Sequence, residues 1–201
     1  GARERLRDTD DGPVLLSVGH LIPRKGHDLV IRLVARRTAG TLWIVGTGPE
    51  EARLRALAAE LGVSHRVQFV GAVAHELLPA YYSAADVLVL ASSREGWPNV
   101  LLESLACGTP VVASPVNGTP EVIQARVAGR VASARTVDAL EAALADLLAD
   151  VPSHAEVRHY AEAFSWDATS RGQIELFERI TRQAADAGMA AEERVPDGGH
   201  G

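Results

Sequence analysis

The chain has 201 residues, of which 47% are hydrophobic and 23% charged, as is usual for globular proteins. Its net charge of −6 argues against a protein that binds duplex nucleic acid, because such proteins usually present a basic face. The single cysteine, Cys107, excludes an intrachain disulfide framework and a cysteine-based zinc cage, and no apolar run approaches the roughly 18 residues that span a membrane.

Short apolar runs alternate along the chain with amphipathic stretches. The runs are rich in β-branched residues and nearly continuously apolar, which is typical of strands covered on both faces. The predicted strands are 13–18, 41–45, 66–70, 86–90, 110–113 and a weaker one within 126–132. The predicted helices are 27–38, 50–61, 75–84, 99–107, 120–125, 136–149, 153–164 and 166–187. This alternation predicts right-handed crossovers and a parallel sheet in an α/β protein.

Two helix starts carry specific capping signals. Thr136 is predicted to cap the helix at 136–149. Thr119 is predicted to cap the helix that follows the fifth strand, with Pro120 as its first residue. In an open parallel sheet, ligands bind at the carboxyl ends of the strands, so a site is sought in the segments that follow the strands.

The segment after the first strand ends with a lysine at the start of a helix. Gly19 and Gly26 flank this loop, and Lys25 is the one lysine of a chain with 19 arginines. Backbone N–H groups at a helix N-terminus, together with an ammonium group, favour a phosphate. The spacing is not that of a Walker A loop, and the alternative is an ordinary polar loop with a solvated lysine.

The segment after the second strand, Gly46-Thr47-Gly48-Pro49, resembles the start of a dinucleotide fingerprint. The third glycine of that fingerprint is missing, because position 51 is a glutamate. We therefore interpret the two glycines as a tight turn from strand to helix. No acidic residue ends the second strand, which also counts against an NAD-dependent oxidoreductase.

The segment after the fourth strand is the most informative one. Glu95 lies in the loop and Glu103 in the first turns of the helix at 99–107. Between them, the five residues Gly96 to Val100 are predicted to offer backbone N–H groups at the positive end of that helix, which favours an anion. Because carboxylates accept hydrogen bonds from vicinal hydroxyls, the segment suits a sugar diphosphate. The alternatives are a solvated carboxylate at Glu95 and, at Glu103, one that only complements the helix dipole.

Several short motifs follow one another in a characteristic order. They comprise Val18-Gly19, Leu21, Pro23, Lys25-Gly26, Val45-Gly46, Gly48-Pro49, Val67, Phe69, Gly71, Glu95-Gly96, Pro98-Asn99, Glu103-Ser104, Ala106-Cys107-Gly108 and the stretches 110–113 and 118–122. This order resembles the C-terminal, donor-binding domain of retaining GT-B glycosyltransferases of the "glycosyl transferases group 1" type. The resemblance covers about residues 13–180.

The resemblance implies a Rossmann-like, three-layer α/β/α domain with a six-stranded, mostly parallel sheet, which is one half of a GT-B fold. Residues 1–12 would be a connector from an N-terminal acceptor domain that is absent from this chain. Residues 13–188 would form the donor-binding domain, and residues 189–201 a disordered tail.

The resemblance also implies a site for a nucleotide sugar. Lys25 matches the diphosphate-binding lysine of the family, Glu95 the carboxylate near the donor sugar, and Glu103 the one that holds the ribose hydroxyls. Lys25 and Glu95 are the predicted catalytic residues. The predicted substrate-binding residues are Gly19, His20, Arg24, Lys25, Glu95, Gly96, Trp97, Pro98, Asn99, Val100 and Glu103. His20 stands where many members carry an arginine, and Arg24 is the candidate to compensate.

The implied activity is transfer of a glycosyl group with retention of configuration from a UDP- or GDP-sugar co-substrate. No other cofactor, no metal and no nucleic-acid partner are expected. We expect a cytoplasmic location, with the full-length enzyme at the membrane surface. Two other classes stay open. One is a module that binds a nucleotide or nucleotide sugar without turnover, and the other is an NAD-type oxidoreductase, against which the incomplete fingerprint counts.

Overall fold

The computed structural model describes residues 12–164, and within them all the predicted strands are present. They are β1 (Val14–Val18), β2 (Thr41–Val45), β3 (Val67–Gly71), β4 (Val87–Leu90), β5 (Val111–Ala113) and β6 (Gly129–Val131). These strands form a 6-stranded sheet in the order β3-β2-β1-β4-β5-β6. Every neighbouring pair is parallel, so the predicted fold class is confirmed.

Helices connect these strands as the alternation predicted. The α-helices of the described residues are α1 (His27–Arg36), α2 (Glu51–Glu60), α3 (Leu78–Ala84), α4 (Asn99–Ala106), α5 (Thr119–Val122), α6 (Val137–Ala149) and α7 (His154–Ala161). Short 3-10 helices lie at Pro23–Lys25, Ser64–Arg66, His75–Leu77 and Glu162–Phe164. None of the helices in this part of the chain is long and apolar enough to cross a membrane.

Some predictions concern parts of the chain outside the described residues. The helix at 166–187 and the tail at 189–201 are among them. Of the connector predicted over residues 1–12, only Gly12 is described. The predicted end of the donor-binding domain, residue 188, also lies outside the described residues, so these features stay predictions.

One of the two predicted helix caps is present. The Thr136 side chain accepts a hydrogen bond from the Ala139 N–H at 3.2 Å, at the start of α6. The cap predicted at Thr119 is wrong, because Gly118 occupies that position and Thr119 is already helical. Gly118 has a φ of +83°, and its missing side chain leaves room for Pro98, whose Cδ would lie 2.6 Å from a Cβ there. This glycine turns the chain into the helix one residue early.

Each face of the sheet carries its own apolar core, which gives the predicted three layers. Successive residues of a strand point to opposite faces, so each strand contributes to both cores. The core on the side of α1, α2 and α6 contains Leu15, Leu42, Val89, Ile31, Leu54 and Leu144. The core on the side of α3, α4 and α7 contains Leu16, Trp43, Leu88, Tyr82, Leu101 and Val157. Trp43 is a core residue, as its position in a strand predicted.

The strand order changes direction between β1 and β4. From β1 the chain proceeds outward to β2 and β3, then returns to β4 beside β1 and continues to β5 and β6. In such sheets the connections on the two sides diverge, which leaves a crevice at the carboxyl ends of the two central strands. The segments that contain Lys25 and Glu95 directly follow these strands. We call this place the β1–β4 crevice.

Loops at the carboxyl edge of the sheet approach one another at backbone distance. Gly26, just before α1, has a φ of +70°, and a Cβ there would lie 2.1 Å from the carbonyl oxygen of Ala91. A Cβ at Gly46 would lie 2.0 Å from the carbonyl oxygen of Gly19. The glycines after β2 therefore form a closely packed turn, in agreement with the structural interpretation of the incomplete fingerprint.

The Gly26 contact can be tested with a matched pair of substitutions. Gly62 has the same φ of +70°, but nothing lies within 4 Å of a Cβ there. We expect Gly62→Ala to lower the free energy of unfolding by about 1 kcal/mol, through backbone strain alone. We expect Gly26→Ala to lower it by about 3 kcal/mol or more, because the Cβ also meets Ala91. Urea unfolding curves measure both, and equal losses would contradict the packing argument.

A buried histidine links β1 to α1. His27 is 2% exposed, and its Nδ1 lies 2.9 Å from the Oγ of Ser17. Burial lowers the pKa of His27 to about 4, and the nearby charge of Lys25 acts in the same direction, while the backbone of His20 opposes the shift. The imidazole is therefore neutral in the folded protein at neutral pH.

This pKa predicts a loss of stability in acid. Between pH 6.5 and about 4 the unfolded state binds a proton at His27 that the folded state does not, so stability falls as the pH falls. A shift of this size corresponds to a loss of about 3 kcal/mol when it is complete. In His27→Asn, an amide replaces the ring atom beside Ser17 and does not titrate. Urea unfolding between pH 7 and pH 4 should show a steeper decline for the parent chain than for this variant, and parallel declines would refute the assignment.

Candidate functional site

Lys25 and Glu95 meet in the β1–β4 crevice although 70 positions separate them. The Nζ of Lys25 donates a hydrogen bond to Oε1 of Glu95 at 2.7 Å. The two side chains are 16% and 9% exposed, so neither is the solvated side chain of the alternative interpretation. An ion pair this far removed from water is held in one geometry and is little screened by salt.

Ser92 supports Glu95 from the end of β4. Its hydroxyl donates to the same Oε1 atom at 2.6 Å, and the residue is completely buried. The hydroxyl of Ser114, which follows β5, donates to the carbonyl oxygen of Ser92 at 2.6 Å. Two donors on one carboxylate oxygen stabilise its charge and fix its direction. The sequence analysis did not select Ser92. Its position between the end of a buried strand and Glu95 indicates a residue that can contact this carboxylate.

Two contacts hold the loop after β1 in place, one within the loop and one with the loop that follows β4. The stem of Lys25 lies across Gly19, since a Cβ on Gly19 would be 3.4 Å from both Cδ and Cε of the lysine. The carbonyl oxygen of Arg24 accepts a hydrogen bond from the Ser93 N–H at 2.8 Å. The side chains of His20 and Arg24 are exposed. These two predicted binding residues are therefore accessible to a ligand, but neither is held in place like Lys25.

The amino end of α4 offers fewer donors than the sequence analysis assigned to it. Pro98 has no N–H, and the N–H of Asn99 donates to the carbonyl oxygen of Trp97 at 3.0 Å. Within residues 12–164, no group accepts a hydrogen bond from the backbone N–H of Gly96, Trp97 or Val100. No side chain caps this helix, so its positive end is open to an anion.

Glu103 lies in the second turn of α4 and faces Tyr82 of α3. Its Oε2 accepts a hydrogen bond from the Tyr82 hydroxyl at 2.7 Å. Tyr82 is 1% exposed. Burial raises the pKa of Tyr82, the hydrogen bond to Glu103 raises it further, and the hydroxyl therefore stays a donor at neutral pH. Tyr82 thus orients the carboxylate of Glu103, a role that no motif in the sequence signalled.

A guanidinium group that the sequence analysis did not select also reaches this edge of the sheet. Arg135 lies between β6 and α6, and its Nε donates to the carbonyl oxygen of Ala91 at 2.8 Å. Among the described residues, no carboxylate is paired with Arg135. The available signal in the sequence was its position in the segment that follows β6, the weakest of the predicted strands.

Other reactive groups of the described residues have different surroundings. No group of three or more His, Cys, Asp or Glu side chains in residues 12–164 is arranged to hold a metal ion. Cys107 is half-buried at the end of α4, and burial raises the pKa of its thiol. A thiol kept neutral beside the core packs as a small hydrophobic side chain.

The groups in the crevice and on α4 are suited to binding an anion and hydroxyl groups. Lys25 and the open end of α4 supply positive charge and N–H donors. Glu95 in the crevice and Glu103 in the second turn of α4 supply carboxylates that accept hydrogen bonds, each from a buried hydroxyl donor. A ligand that combines phosphates with a polyhydroxylated ring matches this set of groups.

Comparisons with known proteins agree on one family. Residues 2–164 match the family model described as Glycosyl transferases group 1. The chain is 38% identical over 189 residues to the GDP-mannose-dependent alpha-(1-6)-phosphatidylinositol monomannoside mannosyltransferase of Mycolicibacterium smegmatis, covering 85% of this chain and 49% of that protein. It is 36% identical to the D-inositol 3-phosphate glycosyltransferase of Geodermatophilus obscurus, covering 97% of this chain and 46% of that protein.

A solved structure supports the same assignment. Sucrose-phosphate synthase from Thermosynechococcus elongatus is similar with a TM-score of 0.78 and 32% sequence identity, covering 90% of this chain and 49% of that one. The chain spans about half the length of the relatives that it matches. The Rossmann-like sheet corresponds to one half of a GT-B fold, as the motifs predicted. The chain belongs to the glycosyl transferases group 1 family of glycosyltransferases.

Proposed function

We propose that the chain binds a nucleotide-diphosphate sugar in the β1–β4 crevice. With an N-terminal acceptor domain, it then transfers the glycosyl group with retention of configuration. The observation that carries this proposal is the partly buried pair of Lys25 and Glu95, which lies where the two central loops meet. The family supports glycosyl transfer, and the GDP-mannose-dependent relative from Mycolicibacterium smegmatis supports a nucleotide-sugar donor.

In this proposal the diphosphate lies against Lys25 and the open end of α4. The ammonium of Lys25 and the N–H groups of Gly96, Trp97 and Val100 are donors of the kind that bind phosphate oxygens. When the bond between the anomeric carbon and the phosphate breaks, its electrons stay on the diphosphate. Donors that are already oriented there stabilise this charge in the transition state more than in the ground state.

The two carboxylates divide the hydroxyl groups of the donor between them. Glu95 is the acceptor for hydroxyls of the sugar, close to the positive charge that develops on its ring. Glu103, oriented by Tyr82, is the acceptor for the ribose hydroxyls. Trp97 lies between them in sequence with 51% of its surface exposed, and a ring in that position can cover one face of the sugar.

Several parts of the proposal extend beyond donor binding. We propose that the transfer needs no metal ion, since Lys25 and the helix end supply the positive charge. We also place the protein in the cytoplasm with the full-length enzyme at the membrane surface. The relative from Mycolicibacterium smegmatis is a phosphatidylinositol monomannoside mannosyltransferase, and a lipid acceptor of this kind supports that surface. The second candidate, left open by the sequence analysis, is a module that binds the donor without turnover.

A titration with nucleotides tests donor binding. We expect one of UDP, GDP and ADP to raise the melting temperature of the chain, and NAD to have no effect. A ligand at about 100 times its Kd stabilises the fold by about 2.7 kcal/mol. Lys25→Ala and Glu103→Ala should abolish this ligand-induced shift, because each removes a group that contacts the nucleotide.

Matched controls keep the result specific. Arg55→Ala and Glu60→Ala remove the same charges from exposed positions on α2 and should retain the full shift. Binding of NAD alone, or a shift that survives both site substitutions, would contradict the proposal. Release of the nucleoside diphosphate from its sugar, measured with the N-terminal domain present, separates the enzyme from the binding module.

A further inference from the structure

We infer that Glu95 competes with the donor diphosphate for Lys25, so that capture of the diphosphate releases Glu95 to the sugar. This inference rests on the proposed function and concerns the order in which one site is filled. It gives Glu95 two successive partners, the ammonium of Lys25 in the empty site and the sugar hydroxyls in the filled one.

The geometry of the empty site creates the competition. The Nζ of Lys25 is bound to Oε1 of Glu95 at 2.7 Å, and the two side chains are 16% and 9% exposed. A diphosphate that approaches the same ammonium brings a second anion next to the carboxylate. Two anions at one partly buried cation repel each other strongly, because little water lies between them. The diphosphate therefore displaces Glu95 from Lys25.

Ser92 determines where the displaced carboxylate stays. Its buried hydroxyl donates to the same Oε1 atom at 2.6 Å, and Ser114 holds the carbonyl of Ser92 at 2.6 Å. When Lys25 turns to the diphosphate, Glu95 keeps this donor and remains at the crevice. The lone pairs that Lys25 leaves are then available to hydroxyl groups, which are the donors that a sugar supplies.

The two roles of Glu95 have opposite consequences for two ligands. For a nucleoside diphosphate without a sugar, the carboxylate only competes with the phosphates and weakens binding. For the nucleotide sugar, the hydroxyls compensate for the lost contact with Lys25. Removing the charge of Glu95 should therefore strengthen binding of the nucleoside diphosphate and reduce the preference for the nucleotide sugar. A purely structural role of Glu95 would make both ligands bind less well.

Isothermal titration calorimetry of Glu95→Gln tests this reversal. Glutamine keeps the size of the side chain and an oxygen acceptor for Ser92 but removes the charge. The ligands are UDP and GDP with UDP-glucose and GDP-mannose as their sugar nucleotides. We expect the Kd of the bound nucleoside diphosphate to fall at least about fivefold in Glu95→Gln. The Kd ratio of nucleoside diphosphate to nucleotide sugar should fall by at least the same factor.

Two further variants assign the gain to Lys25. Glu60→Gln makes the same change in net charge at an exposed residue at the end of α2 and should leave both constants unchanged. In a Lys25→Gln background, where nucleoside diphosphate binding is weak or lost, Glu95→Gln should not restore it, because the ammonium for which the two anions compete is gone. Circular dichroism and melting curves show whether each variant is folded.

The possible outcomes separate this inference from the proposed function. If the parent chain binds a nucleoside diphosphate but Glu95→Gln binds it equally or more weakly, the competition is refuted and donor binding stands. An equal gain from Glu60→Gln, or a gain that persists without Lys25, also refutes it. If neither the parent chain nor any variant binds a nucleotide, the proposed function fails and the inference fails with it.

Discussion

The near contact between the start of α1 and the end of β4 is the constraint on which the candidate site depends. Gly26 and the carbonyl of Ala91 approach so closely that no side chain fits between them. The residues on either side of this contact are Lys25 and Ser92, and both donate to Glu95. The position of the ion pair therefore follows from a backbone approach that one glycine permits.

Charge is balanced inside the crevice before any ligand arrives. Exposed pairs on the helices, such as Arg55 with Glu51, lie in water and contribute little to stability. Lys25 and Glu95 are largely shielded from water, so each would be unfavourable without the other. A site of this kind stays ordered when empty. Because Ser92 also donates to Glu95, the carboxylate keeps one hydrogen-bond donor when Lys25 turns to a ligand.

The sequence predicted the sheet well because its strands are covered on both faces and read as continuous apolar runs. Lys25 and Glu95 were found because the carboxyl edge of a parallel sheet directed attention to the residues after each strand. The pairing of Glu103 with Tyr82, and the reach of Arg135 to Ala91, depend on how distant segments pack. Patterns of neighbouring residues in the sequence do not predict contacts of this kind.

Local patterns also misled in two places, each for a backbone reason. A threonine followed by a proline is typical of a helix start, but the positive φ of Gly118 placed the cap one residue earlier. The start of α4 offers fewer N–H donors than its five residues 96–100 led us to expect. Pro98 has no N–H, and the N–H of Asn99 already donates to the carbonyl oxygen of Trp97. Residue type alone predicts which groups exist, whereas the backbone path decides which of them are available.

The chain contains a single lysine, and this lysine lies in the β1–β4 crevice. Lys25 is the one lysine among 201 residues, so its side chain is the sole ε-amino group of the chain. Acylation or reductive methylation of lysine would therefore attach a spectroscopic label at a single side chain, next to Glu95. The amine is bound to Glu95 at 2.7 Å and its side chain is mostly shielded from water, so a reagent reaches it when the two side chains separate. The rate of labelling would report how often the two side chains separate.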